Sequence, residues 1–309
     1  MIAQAEEVLS MTKTQHGIMA CVIGATTWGF NGVVSQFLLS HYPVEPSWLA
    51  SIRMCLAGLF LTLMVLPVKR AEIRQMLRDP VSLRRLVLFA LFGLILSQFS
   101  YLSAIKYSNA GTATVLQTLS VVLMSLYLAA RFHKRPTGRE ILSVFLAFGG
   151  VYLAATNGNP STMVISPLGL TWGLIGAIAC VTYPVLSQGL AASWGAAVAN
   201  GLGMIIGGVF LSLSLQVWTL WPSLDLTGWL AVAFIVIIGT ALSFTAFVTG
   251  ISEIGPMKAT LLGTLEPVVA SVTSAIALGT TFHAVELIGY ACIIATVFII
   301  ILQKKPAIS

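Results

Sequence analysis

The sequence predicts an all-α integral membrane protein: ten transmembrane helices arranged as two inverted five-helix repeats around a central cavity. Three observations carry this expectation: the scarcity of charge, the number of long apolar runs, and a likeness between the two halves of the chain. Only 8% of the 309 residues are charged, 57% are hydrophobic and the mean hydropathy is +0.95, against about a quarter charged in an ordinary soluble domain. So few polar side chains cannot cover a water-facing surface, and lipid is the expected solvent.

A helix needs about 20 apolar residues to cross the roughly 30 Å hydrocarbon core. Ten runs meet or approach that length: 17–39, 48–67, 86–105, 109–130, 140–156, 166–187, 193–217, 226–250, 256–279 and 283–303. The fifth, from Ile141 to Ala155, is short. Basic residues concentrate in short cytoplasmic loops. With the amino terminus inside, 14 of the 16 lysines and arginines fall on cytoplasmic segments, among them Lys13, Lys69 to Arg85, Arg131 to Arg139, Lys258, Lys304 and Lys305. Lys106 alone lies outside, and Arg53 falls within the second run. Both tails, 1–15 and 304–309, are therefore expected in the cytoplasm. No small-residue cleavage site follows the polar leading stretch, so no removable signal peptide is expected. The net charge of +6 sits between apolar runs rather than on a polar segment interleaved with aromatics, which argues for membrane topology and against nucleic acid.

The halves of the chain align. GATTWGFNGVVSQFL from Gly24 matches GAIACVTYPVLSQGL from Gly176 at a shift of 152. TVLQTLSVVLMSL from Thr114 lies over TLLGTLEPVVASV from Thr260, and Gly93, Leu96 and Ser97 lie over Gly239, Leu242 and Ser243, both at a shift of 146. Three stretches in one order with nearly one shift indicate a duplication. Five spans per copy is odd, so the second copy starts on the opposite side of the membrane, the arrangement many secondary transporters use.

Within the runs, ionisable and amide side chains are costly and mark candidate sites. Glu266 lies about nine residues into the ninth run and is expected near the midplane; Pro267, directly after it, removes a backbone donor and is expected to loosen the helix. The carboxylate reads as a proton or cation site, or as a neutral group packing helices. Arg53, near the outer end of the second run, reads as a partner for a ligand carboxylate or a gate, or as a snorkelling side chain. Asn31, Gln36, Ser97, Gln98, Gln117 and Tyr183 share a similar depth and suggest a polar cavity, although each alone could simply bond a neighbouring helix. Trp28, Phe99, Tyr101 and Tyr183 could wall it with rings. Gly169, Gly173, Gly203, Gly207, Gly149 and Gly150 read as helix packing, and Trp218, Trp221 and Trp229 as headgroup-level anchors.

Phosphate-loop, HExxH and GxSxG motifs are absent, as are paired carboxylates at catalytic spacing, so an enzyme is not expected. Cys21, Cys55, Cys180 and Cys292 have no paired spacing and read as small core residues. His16, His41, His133 and His283 lie near membrane edges without grouping, so neither metal nor cofactor is expected.

These residues resemble the EamA family of ten-helix carriers in the drug/metabolite transporter superfamily. The likeness rests on TTWGFNGVVSQFLL, the arginine of WLASIRMCLAGL, SNAGTATVLQTLS, GTALSFTAFVTG and GPMKATLLGTLEPVVASV, whose Glu266, Pro267 and Val268 match the family's leucine-glutamate-proline-valine stretch. SNAGTATVLQTLS and NGNPST look most like a YicL-type bacterial inner-membrane branch. Where the family often carries a further glutamate after a Leu-Gly pair, this chain reads LGTTFHAVE, which puts a second functional carboxylate in doubt. The resemblance implies two EamA repeats, 17–156 and 166–303, and secondary transport of a small metabolite, amino-acid-like or related, across the bacterial cytoplasmic membrane. Efflux by alternating access is the leading reading. Proton-coupled uptake of a cationic nutrient and a non-transporting membrane module stand as alternatives, and a homodimer is a further expectation.

Overall fold

In hydrocarbon every backbone N–H and C=O has to be paired within the protein, and the apolar runs accordingly become helices. The computed structural model describes residues 2–131, 137–159, 164–254, 259 and 262–301. Among them the helices are α1 Ile2–His41, α2 Pro46–Arg78, α3 Pro80–Tyr107, α4 Ala110–Arg131, α5 Gly138–Thr156, α6 Pro167–Trp194, α7 Ala196–Ser214, α8 Leu226–Ile254, α9 Leu265–Leu278 and α10 Ala284–Ile301. Seven helices, α1 to α4 and α6 to α8, are long and apolar enough to cross a membrane, and α5, α9 and α10 contribute shorter apolar stretches. The chain is an all-helical integral membrane protein. Lys134, Arg135, Lys258, Lys304, Lys305, His133 and the tail 304–309 lie outside the described residues.

Local chemistry sets the helix starts. Asp79, Asn109, Ser166 and Asp225 accept from the exposed N–H groups of α3, α4, α6 and α8 respectively, and proline opens α2, α3 and α6. Two helices run past the expected boundaries: α2 continues to Arg78 and α3 begins at Pro80, so the polar segment between the apolar runs is helical, with one kink at Lys69 just beyond Pro67. Arg70, Arg74, Arg78, Arg84 and Arg85 are exposed on this extension. Helical turns persist there because Arg, Lys, Glu and Leu are strong helix formers even outside lipid.

Packing follows a regular scheme. α2 packs on α7, α5 on α10 and α4 on α9; α1 packs on α8 and α9, and α6 on α3 and α4. Small residues permit the close crossings. A Cβ at Gly58 would meet the backbone of Gly201 at 2.8 Å and of Ile205 at 2.7 Å, and one at Gly150 would meet the carbonyl of Gly289 at 2.8 Å. Gly169, Gly173, Gly203 and Gly207 are likewise pressed by neighbours, whereas Gly149 faces open space.

Besides the kink in α2, helices α3, α4 and α8 depart from regular α geometry, and α9 starts at a break. Residues Phe89–Ile95 of α3 and Ile237–Leu242 of α8 are π-helical. The wider turn disturbs the carbonyl ladder, and hydroxyls repair it: Thr182 Oγ1 donates to the Phe92 carbonyl at 2.6 Å, and Ser243 Oγ to the Ile238 carbonyl at 2.6 Å. α4 is interrupted by a turn at Thr118 and Leu119, and α9 starts directly after a turn at Thr264. Thr118 and Thr264 stand 146 positions apart, as do Gly93 and Gly239 inside the π stretches.

Candidate functional site

The breaks at Thr118 and Thr264 line a cavity of about 170 Å³. Its walls come from α1 (Trp28, Asn31), α2 (Arg53), α3 (Ser97, Gln98, Tyr101), α4 (Gln117 and neighbours), α6 (Cys180, Tyr183, Pro184), α8 (Phe244, Phe247, Ile251) and the start of α9 (Glu266, Pro267). Glu266, Pro267, Trp28, Asn31, Gln98, Gln117, Tyr183 and Arg53, expected from the sequence as site residues, all line this space.

Each is held by its element. Glu266 is in the first turn of α9, not nine residues inside a continuous helix, because the turn at Thr264 restarts the helix at Leu265. Its carboxylate therefore sits at a helix amino terminus, where exposed N–H groups favour negative charge. Pro267 falls in the first turn after the break, where its missing N–H costs little, and the helical residues Leu262 and Gly263 lie directly before the break. Arg53 is 2% exposed. It does not snorkel: the side chain stays inside the protein, its Nε and Nη1 have no hydrogen-bond partner, and among the described residues it forms no ion pair. Arg53 and Glu266 act on each other electrostatically across the cavity without meeting.

Asn31 and Gln98 are also buried with polar atoms unpartnered, Asn31 Oδ1 and Gln98 Oε1 and Nε2, while the buried Tyr101 hydroxyl is turned toward Glu266. Tyr183 donates to Asn200 Oδ1 at 3.3 Å. The ring walls differ from expectation in part. Trp28 lies 4.8 Å from Phe244 and 4.6 Å from Phe247, centroid to centroid, and Tyr183 lies 5.7 Å from Phe244. Phe244 and Phe247 thus supply aromatic walls the sequence reading missed, while Phe99 turns away onto Trp172 at 5.1 Å. Cys180, expected as core, faces the cavity.

Gln36 shares the sequence depth of Asn31 but belongs to a different cluster. Its Oε1 accepts from Ala110 N and Ser274 Oγ, both at 2.9 Å, and its Nε2 donates to Thr280 Oγ1 at 3.1 Å, tying α1 to α4 and to the end of α9. Nearby, a second carboxylate is buried: Glu286, 3% exposed, accepts from Tyr290 OH and from His283 N at 3.2 Å, with Thr112 Oγ1 at 3.5 Å. Tyr290 OH and Thr112 Oγ1 share a further bond at 2.5 Å. This is the glutamate of LGTTFHAVE. A glutamate three residues after the residue preceding a helix, with tyrosine four residues on, is the sequence signal for such a cap and was available in the chain.

The EamA-like transporter family model matches the chain twice, over residues 15–156 and 167–302. The uncharacterized inner membrane transporter YicL of Salmonella typhimurium is 30% identical over 298 residues, covering 96% of this chain and 98% of that protein. The uncharacterized transporter YyaM of Bacillus subtilis is 25% identical over 84% of this chain and 87% of its own length. The uncharacterized inner membrane transporter YedA of Escherichia coli K12 is 25% identical over 91% of each. A solved crystal structure 19% identical in sequence superposes with a TM-score of 0.59 over 94% of this chain and 96% of that one, which establishes a common fold. Helices that cross the membrane, a polar cavity among them and a double match to one family model lead to one assignment: the chain belongs to the EamA-like transporter family.

Proposed function

We propose that this protein is a secondary transporter of a small metabolite in the bacterial cytoplasmic membrane, working by alternating access of two inverted five-helix halves, with export as its direction. The observation that carries the reading is the cavity itself, whose polar groups come from both halves: Asn31, Arg53, Gln98 and Gln117 from the first, Tyr183 and Glu266 from the second.

Several features support inverted halves. Renumbering each helix by five maps the packing scheme onto itself: α1 on α8 becomes α6 on α3, α1 on α9 becomes α6 on α4, and the pairs α2–α7, α4–α9 and α5–α10 map onto themselves. The π stretches and the breaks at Thr118 and Thr264 fall at equivalent positions. Helices broken near a central site are the usual means by which such transporters expose backbone to a substrate. The exposed arginines of the α2–α3 turn support cytoplasmic termini through the positive-inside rule.

Glu266 is assigned as the coupling or substrate-contacting group. The test is counterflow in proteoliposomes: protein loaded with an unlabelled metabolite mixture should accumulate labelled members of a panel of amino acids, nucleosides and quaternary amines. Complete lack of substrate-dependent exchange across the panel, with correctly inserted protein, would overturn the transport reading.

A further inference from the structure

The cavity has an excess of hydrogen-bond donors that have no partner within the protein. Trp28 Nε1, Arg53 Nε, Arg53 Nη1 and Gln98 Nε2 can each donate, whereas the unpartnered amide acceptors are Asn31 Oδ1 and Gln98 Oε1. Arg53 is 2% and Gln98 1% exposed, so bulk water does not satisfy them. A buried guanidinium without an anion is costly, and a buried polar group left unmade costs about 1–3 kcal/mol. Glu266 shares the cavity but no nitrogen of Arg53 lies within 4 Å of its carboxylate. The protein therefore holds a buried cation and neutral donors in the cavity with no anion in contact with the cation.

Resting on the transport reading of this cavity, we infer that Arg53 and Gln98 form an anion subsite that receives a carboxylate of the cargo. A carboxylate offers about four lone-pair positions on two oxygens, which suits several convergent donors, one of them a guanidinium. The remainder of the cargo lies against the rings of Trp28, Phe244 and Phe247, within reach of Glu266. An apolar cavity of about 150 Å³ binds benzene, so the 170 Å³ here sets the scale of the cargo at one small ring or a short aliphatic chain. The subsite selects carboxylated solutes over their decarboxylated or amidated counterparts because those leave Arg53 unpaired, the asymmetry that gives polar sites their large discrimination.

The experiment uses the purified full-length protein with four matched probes: 3-phenylpropionate, phenylalanine, phenylalanine amide and 2-phenylethylamine. Binding is read by thermal stabilisation in detergent, with counterflow in liposomes as a separate measurement. The two acids should stabilise at concentrations at least about tenfold below the amide and the amine. Arg53→Gln should abolish that preference, Arg53→Lys should retain part of it, and Gln98→Ala, which keeps the charge, should weaken acid binding without reversing the order. Amide and amine binding as well as the acids, or failure of both acids to bind, overturns the subsite. An intact preference in a folded Arg53→Gln protein overturns it equally. Binding of the acids without exchange of any solute leaves the subsite standing and removes the transport reading; exchange that ignores the carboxylate does the reverse.

Discussion

The bare Cα of Gly239, in the π-helical stretch of α8, packs directly against the side-chain amide of Asn31 on α1, and a methyl group added there would overlap Asn31 Cγ and Oδ1. Asn31 Cβ would also lie only 2.7 Å from the added methyl, so turning the amide into the cavity does not clear the clash. Gly239→Ala should therefore destabilise the protein by about 1–3 kcal/mol, the usual cost of overpacking. Thermal unfolding in detergent checks this, and Gly239→Ala combined with Asn31→Ala should recover much of the loss. Recovery would identify the amide as the obstacle; no recovery would place the strain in the backbone.

Glu266→Gln preserves shape and removes the charge at the start of α9. The expected outcome is a fall in counterflow of about tenfold or more, equivalent to about 1.4 kcal/mol in the transport barrier, with loss of its pH dependence. Wild-type rate and pH profile in the variant would demote Glu266 to a packing role.

Tyr290→Phe deletes the hydroxyl that donates to Glu286 and bonds Thr112, leaving a buried carboxylate with fewer donors. A loss of about 1–3 kcal/mol in stability follows from the unpaired buried group. Glu286→Gln should cost less, because the amide oxygen still accepts from Tyr290. Comparing the melting temperatures of the two variants measures the difference, and an equal loss in both would show that charge matters more there than the hydroxyl.

Asp225, outside the membrane, accepts from the Tyr42 hydroxyl at 2.6 Å and from Gly228 N at 2.8 Å. The Tyr42 bond, followed by the backbone N–H groups, holds its carboxyl below the ordinary aspartate value. A depressed folded-state value means stability present above the unfolded pKa of about 3.9 and lost as pH falls through the folded value. The melting temperature should accordingly drop on acidification below about pH 4, and Asp225→Asn should flatten that part of the curve. An identical acid limb in the variant would remove Asp225 from the account.

Much of the site was legible because in lipid an ionisable or amide side chain has few places to go. Asn31, Arg53, Gln98, Gln117, Tyr183 and Glu266 stood out against apolar runs, and they line one space. What the sequence did not resolve was angular position. Gln36 and Asn31 lie five residues apart on α1, more than one turn, so they project from different faces at nearby depths. Phe99 and Gln98 are adjacent, so they point about 100° apart, one to Trp172 and the other into the cavity. The helix breaks were legible in part: Pro267 signals the one at Thr264, whereas nothing by residue type marks the one at Thr118. Glu286, in LGTTFHAVE, reads as an edge residue after a short loop, while its burial comes from Thr112 on α4 and from Tyr290 one turn along its own helix.

The π-helical stretches of α3 and α8 bear on how the chain could tolerate changes in length. A π turn absorbs one residue more than an α turn, so the helix beyond it keeps its facing. Loss of a single residue within Phe89–Ile95 would tighten the turn while leaving Gln98 and Tyr101 aimed as before; the same loss one turn later would swing every following side chain by about 100°. Insertions and deletions between this chain and its distant kin should therefore gather at these two wide turns, the places where membrane helices of this kind can gain or shed a residue without rotating their inner faces.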